Sequence, residues 1–203
     1  MPLNTAPGPD GQPRCAWCLS TAQYLAYHDT EWGFPVIDDR RLFEKLCLEG
    51  FQAGLSWRTI LEKRDNFRRA FAGFDVEILA GWGEPEVQRL LHDAGIVRHR
   101  GKIESVLNNA RRAQALVLEQ GSLAAWIWRH EPPAREQAAH EGMTTSPTSI
   151  RLSRELKMRG FSFVGPTTVH SFLQAMGLIN DHAPGCVVRG LVQRARLALK
   201  RPA

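Results

Sequence analysis

Arg159-Gly160-Phe161-Ser162-Phe163-Val164-Gly165-Pro166-Thr167-Thr168 is the stretch that decides the fold. Ahead of it, Thr148 or Ser149 opens a basic helix carrying Arg154, Lys157 and Arg159. Gly160 supplies the left-handed residue that commonly ends such a helix. Gly165-Pro166 then launches a second helix, because proline needs no N–H in a first turn and its φ is already helical. That helix runs through Phe172, Leu173 and Met176 to Gly177. Two helices joined by a short apolar turn make a helix-hairpin-helix arrangement, with an ordinary αα-corner as the competing reading. The free N–H groups of Val164 to Thr168, aligned with the helix dipole, form an anion site suited to a backbone phosphate. Gly160, Gly165, Thr167 and Thr168 are its candidate residues.

Working outward, the next informative stretch is Leu42-Phe43-Glu44-Lys45-Leu46-Cys47-Leu48-Glu49-Gly50-Phe51-Gln52-Ala53-Gly54-Leu55-Ser56-Trp57. Asp38-Asp39 offers side-chain caps for its first turn, and Leu42, Phe43, Leu46, Cys47 and Gly50 recur at helical spacing. Glu49 falls on the rim of that apolar face, whereas Glu44 and Lys45 fall elsewhere and are expected in water. A carboxylate on an inward face must be paired, hydrogen-bonded, protonated or functional. Gly50, Gly54 and Trp57 around it read as a pocket. A Glu bonded to a helix terminus or paired with an Arg is the bland alternative.

The rest of the chain repeats one theme. Ser56 caps a helix through Ile60, Leu61, Phe67 and Phe71, and Asp75 and Glu84-Pro85-Glu86 start short ones. A longer helix carries Ile103, Val106, Leu107, Ala110 and Val117, and Ser122 caps another with Trp126 and Ile127. Residues 131–146, with Pro132-Pro133 and Gly142, read as an irregular connector. No two-residue alternation is sustained, so the fold class is all-α.

With 203 residues, 43% hydrophobic and 23% charged, one soluble domain over residues 14–186 is expected. Residues 1–13 read as a disordered leader and 187–203 as a basic tail. No apolar run approaches the roughly 20 residues of a membrane span, and no secretion signal is present. The four cysteines therefore read as thiols or metal ligands in a cytoplasmic protein. A net charge of +5, clustered at 64–69, 98–102, 111–112, 154–159 and 189–201, tilts the reading towards a nucleic-acid partner.

His182-Ala183-Pro184-Gly185-Cys186 and the pair Cys15 and His28 place two imidazoles and two thiols near the ends of the folded part. Together they offer a closed Cys₂His₂ zinc site clamping both chain ends. Cys15-x-x-Cys18 is also ligand spacing, so Cys18 competes with His28, and a redox pair is a further reading. Trp17, Tyr24, Tyr27 and Trp32 crowd the same segment, either as half-buried packing or as a stacking surface for planar ligands.

Tyr24-x-x-Tyr27-His28-Asp29-x-Glu31-Trp32-Gly33, Leu48-Glu49-Gly50-x-Gln52-Ala53-Gly54-Leu55-Ser56-Trp57, Asp93-Ala94-Gly95-Ile96-x-Arg98-His99-Arg100-Gly101-Lys102 and Asn180-Asp181-His182 resemble the DNA-3-methyladenine glycosylase I family from Arg14 to Cys186. The resemblance implies a helix-hairpin-helix glycosylase fold and removal of N3-methyladenine from alkylated double-stranded DNA, with base flipping. It implies one structural zinc on Cys15, His28, His182 and Cys186, with Cys18 a bystander. It implies a base pocket of Glu49 with Trp17, Tyr24, Tyr27, Trp32 and Trp57, in which the chemistry below gives Glu49 a recognition role with a contribution to catalysis. Phe51 stands where some relatives have Gln, which would touch the pocket's border. No organic cofactor is expected, and a monomer is the default.

The chemistry agrees. N3-methylation makes adenine cationic and a good leaving group; a pocket for it wants π-faces and a carboxylate acceptor. Asp181 is the alternative catalytic carboxylate. A non-catalytic helix-hairpin-helix DNA-binding module and a cysteine-based redox protein are the competing readings of the whole.

Overall fold

In the computed structural model, which describes residues 4–137 and 142–202, the chain opens with an antiparallel ribbon of β1 (Thr5–Pro7) and β2 (Pro13–Cys15). A 3-10 turn (Ala16–Ser20) leads to α1 (Ala22–Thr30), α2 (Asp39–Gln52), α3 (Trp57–Glu62), α4 (Arg64–Ala70), α5 (Val76–Ala80) and α6 (Glu84–His92). There follow α7 (Arg100–Gln120), α8 (Leu123–Trp128), α9 (Ala134–Gln137), α10 (Pro147–Met158), α11 (Pro166–Ala175) and α12 (Arg189–Ala198). The described residues are mostly helical, and no helix among them is long and apolar enough to cross a membrane.

The core is built around α2, which packs on α3, α7, α8 and α11. Its start is set by Asp38, which accepts the Arg41 N–H at 2.8 Å, while Asp39 accepts from Leu123 and Ala124 at 3.0 and 2.7 Å and so caps α8 as well. Its end is held by Lys102, whose buried ammonium donates to Phe51 O at 2.8 Å and Ala53 O at 2.5 Å. Those carbonyls have no partner within the helix, so a charge from α7 satisfies them. Every residue from Leu42 to Phe51 is buried.

Three expectations are corrected here, and the basic tail, whose order the sequence left open, is a helix. Part of the supposed leader is structured: β1 pairs with β2, and Val187 N–H donates to Pro13 O at 2.9 Å. Strands of three residues, each with a proline at one end, carry too little alternation to read from sequence. In the tail, Val188 and Val192 are buried, and Arg196 pairs with Glu131 at 3.1 Å and donates to Leu178 O at 2.9 Å. The helix expected from Ser56 to Phe71 breaks at Lys63 into α3 and α4. Finally, α10 is capped by Ser146, which accepts from Ser149 N–H at 3.0 Å, rather than by Thr148 or Ser149.

Helices α10 and α11 are joined by residues 159–165, and Gly160 takes φ +82° there as a helix-ending residue must. The turn is pinned from outside. Asn109 on α7 accepts Ser162 N–H at 2.9 Å and donates to Ser162 O at 3.0 Å. Ser153 donates to Val164 O at 2.6 Å. At the far end of α11, a Cβ on Gly177 would lie 2.5 Å from Pro35 N, so that exit lies backbone to backbone against the segment before α2.

Candidate active site

Beside α2 lies a pocket of about 120 Å³, open to solvent. That is close to the roughly 150 Å³ cavity known to hold a benzene ring. Trp17 and Trp32 come from the segments flanking α1, Tyr24 and Tyr27 from α1 itself, and Trp57 from the start of α3. The rings form a continuous wall: Trp17 meets Tyr24 at 4.9 Å and Trp32 at 5.0 Å, and Tyr27 meets both Tyr24 and Trp57 at 6.5 and 5.5 Å between centroids. Glu49 and Gln52 enter from α2, and Ser171 and Gln174 from α11. The structure thus brings together Glu49 and the five aromatic residues singled out in the sequence. Phe51, expected on the border, is a core residue whose ring lies tilted against Phe67 at 4.6 Å between centroids.

Lys45, Gln52, Ser171 and Gln174 are pocket residues that sequence reasoning missed, and Lys45 is the charged one among them. Expected in water, it is 6% exposed. Its Nζ lies 2.7 Å from Glu49 Oε1, donates to Tyr27 Oη at 2.9 Å and stands 3.1 Å from the centre of the Trp57 ring. Glu44, also expected in water, is buried against Arg68 at 2.9 Å. Both corrections have one cause: α2 is covered on all sides, so its polar residues must find partners inside. The i, i+4 spacing of Lys45 and Glu49 was the available signal. Burial pushes the Glu49 carboxyl up, against the pull of Lys45. Burial lowers Lys45 to about 8, with Glu49 opposing.

Asp181 is buried but does not line the pocket. It accepts from Gln174 Nε2 at 2.5 Å, which fixes the amide of a lining residue. Trp57 Nε1 is a buried donor without an acceptor among the described residues.

Behind the aromatic wall, Cys15, His28, His182 and Cys186 converge, with one donor atom each within 4.8 Å of the others. His182 Nδ1 is 3.1 Å from His28 Nε2, 3.8 Å from Cys15 Sγ and 3.7 Å from Cys186 Sγ; Cys186 Sγ is 3.6 Å from His28 Nε2. Outer partners orient both imidazoles. His28 Nδ1 contacts Asp29 at 2.7 Å, and His182 Nε2 contacts Trp32 O at 3.0 Å. Asp29 is itself held by Arg14 at 2.9 Å. The Cys15–Cys186 contact raises one thiol and lowers the other, and both imidazoles help draw Cys186 towards the thiolate. Gly33 leaves room for His182, since a Cβ there would meet its Nε2 at 3.0 Å. Cys18 is buried beside His28 but outside this set of four.

Gly160 and Gly165 frame the turn between α10 and α11, and Thr167 and Thr168 form the first turn of α11. The same helix delivers Ser171 and Gln174 to the pocket. Much of the clustered positive charge is spent inside the molecule. Arg64 pairs with Glu31 at 2.7 Å, Arg100 with Glu84 at 3.0 Å, and Arg159 with Glu119 at 2.6 Å.

Residues 17–189 match the methyladenine glycosylase family model. The chain belongs to that family. It is 46% identical over 177 residues to DNA-3-methyladenine glycosylase 1 of Escherichia coli K12, covering 85% of this chain and 95% of the relative. It is 40% identical over 177 residues to DNA-3-methyladenine glycosylase of Haemophilus influenzae, covering 85% and 96%. Among solved structures, one describing 3-methyladenine recognition by 3-methyladenine DNA glycosylase I of Staphylococcus aureus superimposes with a TM-score of 0.81 at 37% identity, covering 87% of this chain and 96% of that one. The pocket residues and three of the four cluster residues, His28, His182 and Cys186, fall within the matched residues 17–189, whereas Cys15 lies just before them.

Proposed function

We infer that this protein is a DNA-3-methyladenine glycosylase that excises N3-methyladenine from alkylated DNA. The observation that carries this reading is the buried Glu49 in a ring-sized aromatic pocket, in a chain that spans nearly the full length of relatives bearing that name. The methylated nucleotide leaves the helix, at least cost for a damaged base, and its cationic ring stacks among Tyr24, Tyr27, Trp32 and Trp57. Glu49 accepts a charge-assisted hydrogen bond from the base. The N9–C1′ bond then breaks, its electron pair returns to the purine, and water adds to the sugar cation. The base departs neutral, so little acid catalysis is needed, and the main role of Glu49 is recognition.

Three finer features belong to the same reading. The turn framed by Gly160 and Gly165 serves as a helix-hairpin-helix, whose N–H groups at Thr167 and Thr168 grip a DNA phosphate. The Cys₂His₂ cluster holds one structural zinc ion. Zinc bonds of about 2.0–2.3 Å set tetrahedral donor edges at roughly 3.3–3.8 Å; four of the six donor separations here are 3.1–3.8 Å and all lie within 4.8 Å. The ion supplies structural cross-linking and no chemistry on the base. Its ligands adjoin Trp17 and Tyr27 in sequence, so it steadies the aromatic wall. We take the protein to act as a monomer without an organic cofactor.

The test is chromatography of bases freed from methylated duplex DNA. Release of 3-methyladenine with 7-methylguanine left in place is expected. DNA binding without release of any base would favour a non-catalytic DNA-binding module instead.

A further inference from the structure

Lys45 carries the positive charge among the described residues lining the pocket. Its ammonium lies against Glu49, the Tyr27 hydroxyl and the face of Trp57, three groups that would otherwise attract a cationic base. It also stands between two spaces. Lys45, Tyr27 and Trp57 line both the base pocket and an adjoining polar cavity of about 30 Å³.

This placement bears on where charge moves during the reaction. Before cleavage the positive charge is on the methylated purine. As the N9–C1′ bond breaks, its electron pair passes to the purine and the charge passes to C1′. Water then supplies oxygen to C1′ and its proton goes to solvent, leaving a neutral base. A lone buried carboxylate beside the purine favours the reactant over the transition state, because it attracts the charge that must leave. An adjacent ammonium has the opposite preference.

We propose that Lys45 is a rate-setting residue of the pocket, whose ammonium offsets the grip of Glu49 on the cationic base and favours charge transfer to the sugar. The proposal rests on the pocket being the base site. Lys45 is a charge-placing residue rather than an acid or base, and no proton of its own enters the reaction. The charged and titratable groups facing it are Tyr27 and Glu31 at the end of α1, Arg41, Glu44 and Glu49 on α2, and Arg64 and Arg68 on α4; α11 brings Ser171, Gln174 and Ala175, with Met176 just after it, none of them charged. Glu31 is paired with Arg64 and Glu44 with Arg68, which leaves Glu49 as the close partner of Lys45. Burial depresses Lys45 to about 8, so its charge is present at neutral pH and is lost as pH rises through that value.

The experiment is single-turnover release of 3-methyladenine from methylated duplex DNA by wild type, Lys45→Met and Lys45→Arg, with the DNA dissociation constant measured beside each rate. Lys45→Met is expected to slow cleavage roughly tenfold without weakening DNA binding, and Lys45→Arg to stay within a few-fold of wild type. The wild-type rate is expected to fall between pH 7 and 9, and the Lys45→Met rate to stay flat there. A Lys45→Met rate equal to wild type, or a joint loss of rate and binding in both variants, overturns the proposal. If Lys45→Met does not fold, a wild-type rate that holds level from pH 7 to 9 overturns it alone. A wild type that frees no base overturns the pocket reading with it, whereas a wild type that frees base at a rate indifferent to Lys45 refutes only this proposal.

Discussion

Glu49 is 4% exposed, and its fate at low pH follows from its burial. The carboxyl sits above its ordinary value because desolvation outweighs Lys45. The acceptor that a base needs is therefore present above that raised value and is lost as pH falls through it. Binding of free 3-methyladenine, followed by quenching of the pocket tryptophans, should weaken on the acid side at a pH higher than an ordinary glutamate would give. Glu49→Gln should remove that acid limb. An unchanged limb in the variant would place the titration elsewhere. Residue by residue, Glu49 was legible because a carboxylate on an apolar helical rim demands an explanation. Lys45 was not, because it lies off the apolar stripe and only tertiary packing covers it. Asp181 was noticed for the wrong reason: its partner is Gln174 rather than open pocket, and that contact depends on where α11 ends.

Helix boundaries were readable at several local caps, though α10 starts from Ser146 rather than the expected Thr148 or Ser149. Ser122 accepts from Ala125 N–H at 2.9 Å and Ser56 from Thr59 N–H at 3.1 Å, both as their spacing suggests. Caps supplied from a distance were not. Lys102 sits in a basic cluster that looked destined for nucleic acid, yet it seals the end of α2. Lys102→Met should strip two carbonyls of their donor and cost about 1–3 kcal/mol, lowering the melting temperature by several degrees. Wild-type stability in that variant would contradict this assignment. Asn109 plays the same part for the turn between α10 and α11. Asn109→Ala should loosen that turn and weaken DNA binding several-fold while sparing affinity for the free base. Equal loss of both affinities would mean that the core, not the turn, had moved.

At the scale of the molecule, both chain ends are folded against one region. The ribbon, the Cys/His cluster and α12 meet there, and Val187 bonds to Pro13 across them. Composition suggested a loose leader because it is short and polar on its own, and it left the order of the basic tail open; the tail is held by Val187 on Pro13 and by Arg196 and Arg201 on Glu131. If the proposed zinc is bound, a chelator, with Cys186→Ser as the genetic equivalent, should lower the melting temperature and reduce base affinity together. The shared loss is expected because the aromatic wall rests on the cluster: Trp17 lies 5.3 Å and Trp32 6.3 Å from the His28 ring. A protein that binds no zinc and melts unchanged after chelation would refute the proposed ion.

The central claim is that the pocket around Glu49 is where the damaged base is excised. It is tested most directly by single-turnover release of 3-methyladenine from methylated duplex DNA, comparing wild type with Glu49→Gln at neutral pH. Wild type is expected to release the base, and Glu49→Gln to do so roughly ten- to a hundredfold more slowly because a flipped base is captured in the pocket less often without its charge-assisted hydrogen bond, with duplex affinity largely kept. A Glu49→Gln enzyme that frees the base as fast as wild type would contradict it.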